Sequence, residues 1–296
     1  MSIRDFSLFM LVCLIWAANT VVSKLIIAHY GVPPLFYGAV RFGIVVLAVF
    51  PFLLPAPRPL WRLIVIGLCM GFGGFAFTFI GLRTASPSAA TIVAQLGLPI
   101  TTLLSVLVLG ETVHWRRGLG ITLAFAGVLL VMWRPNDLHA STGLIWCAAG
   151  AIASSIGAVM MKQMEGVPPL RFQAWVGLTS VAPLALLSGL LEPGAVETAI
   201  NAGWAFVAAV AFSGLVVSVL GHTLYFLMIQ RYEANLVAPL TLMTPLFTIA
   251  LGVAITHDVI DLQMAAGSAL ALAGVLIIAF RKNHVAPLLL LMRLRG

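Results

Sequence analysis

Ten apolar stretches, each long enough to cross a lipid bilayer as a helix, follow one another along most of this sequence. A transmembrane helix needs about 20 largely apolar residues. Cutting the chain at prolines, glycines and charged clusters gives spans at approximately 5–28, 34–54, 61–82, 87–109, 117–133, 142–163, 169–190, 202–229, 234–256 and 262–280. Because these runs are continuous rather than alternating, the sequence predicts an all-α membrane protein with ten transmembrane helices.

The composition agrees with lipid as the solvent for most of the chain. Of its 296 residues, 61% are hydrophobic and 8% are charged, whereas soluble domains carry about 25% charged residues. The net charge of +7 comes without a basic stripe interleaved with aromatics, so we expect no nucleic-acid partner. The first apolar stretch runs to about Ala28 without a signal-peptide cleavage site, so we expect a first membrane helix there.

The distribution of lysine and arginine predicts the orientation in the membrane. With the N-terminus inside, twelve of these cations fall on the inner side, and three, Lys24, Arg83 and Arg134, fall on the outer side. Cytoplasmic loops carry such an excess of positive residues. The sequence therefore predicts that both termini lie in the cytoplasm.

Several segments occur twice in the same order. The pentapeptide GVPPL stands at 31–35 and again at 166–170, and Pro99 aligns with Pro245. LGITLAFAGVLLV at 119–131 matches AGSALALAGVLII at 266–278 with seven identities in thirteen positions. We therefore interpret the chain as two five-helix repeats, at 1–136 and 139–284, followed by a cytoplasmic tail at 285–296.

An odd number of spans in each repeat determines how the two repeats are related. The second repeat enters the membrane from the opposite side, so the repeats are predicted to be inverted about a pseudo-two-fold axis in the membrane plane. Inverted repeats recur in secondary transporters, where two halves of similar energy exchange conformations around a central site. The predicted mechanism is alternating access.

Three short segments carry a resemblance to a known family. LGE stands at 109–111 after the fourth span, an AGVL run lies in the closing helix of each half, and LIWAANTVVSK occupies 14–24. With the five-plus-five duplication, these resemble EamA-type members of the drug/metabolite transporter superfamily. The segment at 14–24 is most similar to amino-acid exporters, including the bacterial aromatic-amino-acid exporter branch. The second half departs from the pattern, because THD at 256–258 stands in place of LGE.

The resemblance implies a secondary transporter of small solutes in the bacterial inner membrane. It also implies a central cavity lined largely by the first, third and fourth helices of each half. The function expected from it is export of small metabolites, amino acids above all and aromatic ones in particular. A proton-coupled drug transporter and a nucleotide-sugar transporter share the same fold and remain the alternatives.

Polar side chains within the spans are the candidate substrate-binding residues, because lipid offers them no partner. In span 1, Trp16, Asn19, Thr20 and Ser23 lie at helical spacing on one face. A stacking surface beside an amide suits a zwitterion that has a side chain. Hydrogen bonding between helices is the alternative role, worth about 1 kcal/mol per bond.

Spans 3 and 8 contribute a second set of candidates. Span 3 offers Phe75, Thr78 and Phe79, which follow a GxxxG pair at 67 and 71 that permits close helix approach. In span 8, His222 and Tyr225 are three residues apart and share a face. The histidine is either a site residue and proton carrier or a structural residue with a satisfied ring.

Spans 4 and 9 each combine polar residues with a proline inside the helix. Gln95 precedes Pro99, and Thr241 precedes Pro245. Proline removes a backbone hydrogen bond and kinks the helix. Gln95 and Thr241 are therefore candidate binding residues, and the two prolines are candidate hinges, with a static kink as the alternative.

One cation is predicted inside a span, and no acid is. Arg41 lies roughly 10 Å into span 2, at 1.5 Å per residue. Snorkelling to the outer headgroups is favoured for it over binding a carboxylate in the cavity. Because no Asp or Glu falls within a span, downhill export without proton coupling is the simplest expectation.

Other classes of protein are disfavoured by the absence of their signatures. The sequence has no HExxH, GxSxG or P-loop, so we expect neither an intramembrane enzyme nor a pump that hydrolyses nucleotide. Channels usually build pores from rings of identical subunits. We expect no catalytic residues, no metal and no cofactor, a small-molecule substrate, a lipid bilayer as surroundings, and a monomer.

Overall fold

The computed structural model describes residues 2–109, 115–133, 138–164, 167–232, 237 and 240–279, and these residues form helices and short connections without strands. Nine helices within them are long and apolar enough to cross a membrane, and α9 is a shorter apolar helix. The ten are α1 (Ile3–His29), α2 (Pro34–Leu53), α3 (Leu60–Gly81), α4 (Pro87–Val108), α5 (Trp115–Met132), α6 (Thr142–Met161), α7 (Pro169–Leu191), α8 (Ala195–Tyr225), α9 (Met243–Thr256) and α10 (Leu262–Ala279).

The prediction of an all-α membrane protein is thus confirmed, and nine of the ten predicted spans have helices of spanning length. The first part of the ninth span, at 234–236 and 238–239, lies outside the described residues. So do Glu111 of the LGE segment and the tail at 285–296.

Prolines and serines set where several helices begin. Pro34 and Pro169, from the two copies of the pentapeptide, start α2 and α7. Proline suits the first helical turn because its missing N–H has no partner there anyway. Ser86 caps α4 by accepting a hydrogen bond from the backbone N–H of Ala89 at 3.2 Å.

Helix α8 differs from its prediction at the N-terminal end. The predicted span begins at 202, whereas the helical stretch begins at Ala195. Gly203 interrupts it with φ 56° and ψ −132°, a conformation that is open to glycine because it has no Cβ. The apolar pattern therefore located the interruption, and the short helix before it was missed.

Packing between the helices follows one regular scheme. α2 packs on α7, α4 on α9 and α5 on α10; α3 contacts α6 and α7, α8 contacts α1 and α2, α1 contacts α9, and α4 contacts α6. This set of contacts is unchanged when each helix is exchanged with the one five places along the chain.

The crossing of α5 and α10 depends on glycine. Gly120 lies against Gly274, and Gly127 lies against Gly267, so that a Cβ on any of the four would meet backbone atoms of the other helix. The two helices therefore run antiparallel. Because Gly120 aligns with Gly267 and Gly127 with Gly274 in the sequence, each contact is the exchanged copy of the other.

Four helices contain π-helical turns, in which the backbone bonds reach five residues rather than four. These segments are Leu25–His29, Leu68–Gly73, Phe212–Gly221 and Gly252–Thr256. Two of them lie in the middle of α3 and α8, the third helix of each predicted repeat. They change which side chains share a face there.

The predicted breaks in α4 and α9 are present. A turn at 95–96 separates two helical pieces of α4, and a turn at 241–242 precedes α9. Pro99 and Pro245 each stand third in the helix that follows. Both breaks thus come at the same place relative to the aligned prolines.

Replacing Gly127 by alanine tests the close crossing. A Cβ there would lie 2.6 Å from the Gly267 carbonyl oxygen, so we expect Gly127→Ala to lower the free energy of unfolding by about 1–3 kcal/mol. Thermal unfolding in detergent measures this. Gly118→Ala in the same helix meets nothing within 4 Å and is the control, which should match the wild type or exceed it. Equal unfolding temperatures for the two variants would contradict the packing.

Candidate functional site

A partly open cavity of about 170 Å³ lies between α1, α3 and α6. Five of the predicted binding residues line it: Asn19, Thr20, Phe75, Thr78 and Phe79. Ser154 of α6, which the sequence reasoning missed, lies on the same wall. The cavity is therefore polar on the α1 and α6 sides and aromatic on the α3 side.

Three other predicted residues form a cluster beside this cavity. The Trp16 ring lies 5.4 Å from the His222 ring and 5.0 Å from the Tyr225 ring, measured between centroids. His222 Nδ1 lies 3.0 Å from the Val217 carbonyl oxygen. The indole N–H of Trp16 is buried without a hydrogen-bond acceptor among the described residues. The predicted shared face of His222 and Tyr225 is confirmed, since both rings contact Trp16.

The size of one side chain distinguishes the cluster from the cavity. Trp16 of α1 lies against Gly221 of α8, and Ser154 of α6 lies against Gly74 of α3. These two contacts exchange under the five-helix scheme described above. A tryptophan fills the space in one place, and a serine leaves space in the other.

A chain of hydrogen bonds runs behind the cavity wall. Ser213 Oγ donates to Asn19 Oδ1 at 2.7 Å, and it lies 2.5 Å from the Tyr37 hydroxyl. Because Ser213 has one hydroxyl proton, Tyr37 is the donor in that second bond. Ser23 then donates to Tyr37 at 3.4 Å. The chain fixes the Asn19 amide with its oxygen occupied, which leaves the NH₂ group as the donor available to a ligand.

Arg41 corrects the expectation that it snorkels outward. Its side chain is 1% exposed, and one guanidinium nitrogen donates to Ser218 Oγ at 3.1 Å. The guanidinium carbon lies 4.4 Å from the centre of the Phe75 ring. Arg41 lies on the face of α2 that packs against α3 and α8, so its side chain is enclosed by those helices instead of reaching along lipid.

The π-helical segment of α8 brings the two serines of this region together. Ser218 Oγ donates to the Ser213 carbonyl oxygen, five residues earlier, at 2.9 Å. In an ordinary α-helix two residues five apart do not share a face in this way. The sequence reasoning read α8 with α-helical periodicity and therefore missed both Ser213 and Ser218.

Gln95 and Thr241 are not brought to the cavity. Both lie at the turns that break their helices, where the Gln95 backbone N–H donates to Ile92 O and the Thr241 N–H donates to Val237 O. Neither residue is among the described residues that line the cavity. The sequence reasoning placed them with the binding residues because it located the breaks but not the direction in which the side chains lie.

Carboxylates join helices at both ends of the bundle. At one end, Asp258 accepts from the backbone N–H of Ser88 at 2.9 Å and from the Ser88 hydroxyl, which ties the end of α9 to the start of α4. At the other end, Asp5 accepts from the Tyr232 hydroxyl at 2.5 Å and pairs with Arg231 at 3.4 Å. We call these the Asp258 contact and the Asp5 contact.

Among the described residues, nine apolar helices are long enough to span a bilayer, which is the fold of a multi-pass membrane protein, and a cavity with polar and aromatic walls is what a small-molecule transporter needs. The family model described as "EamA-like transporter family" matches residues 6–133 and 141–280. The chain belongs to this family, which consists of transporters rather than enzymes.

Individual proteins are similar along nearly the whole chain. A Salmonella typhimurium protein named "Probable amino-acid metabolite efflux pump" is 29% identical, over 95% of this chain and 96% of its own. An Escherichia coli protein of the same name is 26% identical over the same shares of each chain. A solved crystal structure at 24% identity matches with a TM-score of 0.62, over 93% of this chain and 97% of its own, and shows that the fold is shared.

Filling the cavity tests whether the transporter uses it. We expect Ser154→Met to lower transport roughly tenfold, because the longer side chain occupies space that the substrate needs and a loss of about 1.4 kcal/mol in binding free energy is a factor of ten. Ala269→Met adds similar volume at an exposed position of α10 and should leave transport unchanged. Initial rates in proteoliposomes, with unfolding temperatures to verify the fold, measure both. Normal transport by Ser154→Met would show that substrate passes elsewhere.

Proposed function

We propose that this protein exports small zwitterionic metabolites, and aromatic amino acids in particular, across a bacterial inner membrane. The carrying observation is the cavity itself, which combines amide and hydroxyl groups on α1 with the phenylalanine rings of α3. A free amino acid offers charged groups at one end and a side chain at the other. The two relatives named as amino-acid metabolite efflux pumps support the direction and the substrate class.

The proposed mechanism is alternating access between two inverted repeats, at 1–136 and 139–284, with both termini in the cytoplasm. Three observations support it. The family model matches the chain twice, once in each half. The helix contacts are preserved when the halves are exchanged, and the glycines of α5 and α10 pair across an antiparallel crossing in the same exchanged manner. A two-fold axis perpendicular to that crossing lies in the membrane plane.

In this mechanism the two carboxylate contacts alternate. The Asp258 contact closes the end that the charge distribution places outside, and the Asp5 contact closes the cytoplasmic end. Substrate leaves outward only after the Asp258 contact breaks and α9 moves away from α4. The turns before Pro99 and Pro245 are the proposed hinges, because a broken helix bends there without losing further backbone hydrogen bonds.

The function is tested by counterflow in proteoliposomes. Vesicles loaded with unlabelled phenylalanine or tryptophan should accumulate the labelled amino acid transiently, whereas protein-free vesicles should not. A nucleotide sugar and a cationic drug serve as the other arms, and preference for either would replace the proposed substrate. Because the described spans carry acids only near their ends, we expect no steady uphill accumulation under an imposed pH gradient.

The hinge proposal predicts slower turnover in Pro99→Ala and Pro245→Ala. Alanine supplies a backbone N–H that can donate across the turn to the carbonyl four residues earlier, at Gln95 or Thr241, and one such bond worth about 1 kcal/mol would slow opening roughly fivefold. Maximal rate should fall while the half-saturating concentration stays constant. Pro183→Ala is the matched control, since Pro183 lies inside the continuous helix α7. Wild-type rates in both hinge variants would leave the prolines as static kinks.

A further inference from the structure

We propose that Arg41 binds the carboxylate of the transported substrate, and that the Phe75 ring covers it until substrate enters. This inference rests on the proposed function, because it names the group that recognises one end of an amino acid. It assigns a second binding element to the site, one helix away from the polar wall of α1.

The buried charge of Arg41 has no counter-ion among the described residues. A buried cation is normally paired with an acid, since removing an unpaired charge from water is very unfavourable. No carboxylate of the described residues lies within salt-bridge distance of Arg41. The chain has nine acidic residues in all, and none falls in the middle of a predicted span.

The described acids near the helix ends are already engaged or remote from the interior. Asp5 pairs with Arg231, Asp258 binds Ser88, and Glu192 accepts from the backbone N–H groups of Leu35 and Phe36. An acid supplied by the substrate is therefore the partner that this arginine lacks. Intramembrane ionisable residues generally mark the path of a substrate or ion.

Most of the hydrogen-bond donors of Arg41 have no acceptor in the part of the chain that the structure describes. A guanidinium carries five N–H donors. The structure accounts for one, to Ser218, and the Nε and Nη1 atoms are buried without acceptors. Arginine donors match the geometry of a carboxylate, which accepts at two oxygens.

Arg41 also lies next to the rings that line the cavity. The guanidinium carbon lies 4.4 Å from the centre of the Phe75 ring and 5.8 Å from that of Phe79, and both of these side chains line the cavity. One layer of aromatic rings thus separates the charge from the space where substrate would lie. The rings stabilise the cation in the absence of an anion through cation–π contact.

One chain of hydrogen bonds fixes the positions of Arg41 and the Asn19 amide relative to each other. Arg41 donates to Ser218, Ser218 donates to the Ser213 carbonyl, and the Ser213 hydroxyl donates to Asn19. The π-helical segment of α8 therefore fixes two donors, the guanidinium and the Asn19 amide, on the two sides of the aromatic layer. A rotation of the Phe75 side chain would let one carboxylate accept from both.

The test compares carboxylates with matched amides in proteoliposomes. Labelled phenylalanine transport is competed with unlabelled phenylalanine and with phenylalaninamide, which differs only in lacking the carboxylate. We expect the wild type to favour the acid at least tenfold. Arg41→Gln should lose that preference, because transport of phenylalanine slows while the affinity for phenylalaninamide is unchanged. Arg41→Lys should retain part of the preference because the charge remains.

Ser218→Ala is the control for a purely structural arginine. It removes the described hydrogen bond of Arg41 and leaves the charge in place, so the acid preference should fall less than in Arg41→Gln. Equal losses for acid and amide in Arg41→Gln and Ser218→Ala, with lowered unfolding temperatures, would assign Arg41 to helix packing. If Arg41→Gln does not fold, a reduced preference in Arg41→Lys at unchanged stability supports the proposal, and an undiminished preference contradicts it.

Failure of the proposed function is distinguished by a binding measurement. If the wild type transports no amino acid, its thermal unfolding is followed with phenylacetate and with phenylacetamide. Stabilisation by the acid alone, absent in Arg41→Gln, supports a carboxylate site with a different substrate. Equal behaviour of the acid and the amide in the wild type would overturn the inference.

Discussion

Hydrocarbon supplies no hydrogen-bond partners, and this constraint governs the interior of the molecule. Many polar side chains within the described spans therefore bond to their own helix or to each other. Thr20 and Thr78 donate to carbonyls four residues earlier, which removes their protons from competition for a ligand. Ser23, Tyr37, Ser213 and Asn19 instead form one directed chain between three helices. The hydroxyl protons of Thr20, Thr78 and Ser213 are therefore already committed.

The contacts between helices are regular along the chain, and departures from this regularity create the cavity. The same helix contacts occur in both halves, yet Trp16 occupies one of two exchanged positions and Ser154 the other. The described cavity consequently lies beside Ser154, where α3 meets α6, with α1 as its third wall. Side-chain volume, rather than backbone arrangement, decides where the space falls.

Much of the fold could be predicted from the sequence because lipid enforces simple patterns. Continuous apolar runs located the helices, Gly67 and Gly71 lie close to α7 as the GxxxG spacing indicated, and the aligned prolines located the breaks. The face of α1 was also predictable, since Asn19 and Thr20 lie at regular helical spacing.

The remainder depended on features that periodicity does not encode. A π-helical segment shifted Ser213 and Ser218 onto a shared face, and no sequence pattern marks such a segment in advance. Tyr37 was missed and the direction of the Arg41 side chain was misjudged, because the direction of a side chain depends on which neighbours enclose it. Gln95 and Thr241 show the same difficulty at a helix break, where the helical angle between residues no longer applies.

The paired glycines of α5 and α10 carry a consequence for how the protein would move. In the proposed exchange, each half takes up the conformation that the other has left. The exchange turns the Gly120–Gly274 contact into the Gly127–Gly267 contact and the reverse. The crossing of α5 and α10 therefore has the same geometry before and after the exchange. This crossing would then be the stationary pivot of the molecule, and the displacement of any other helix would increase with its distance from it.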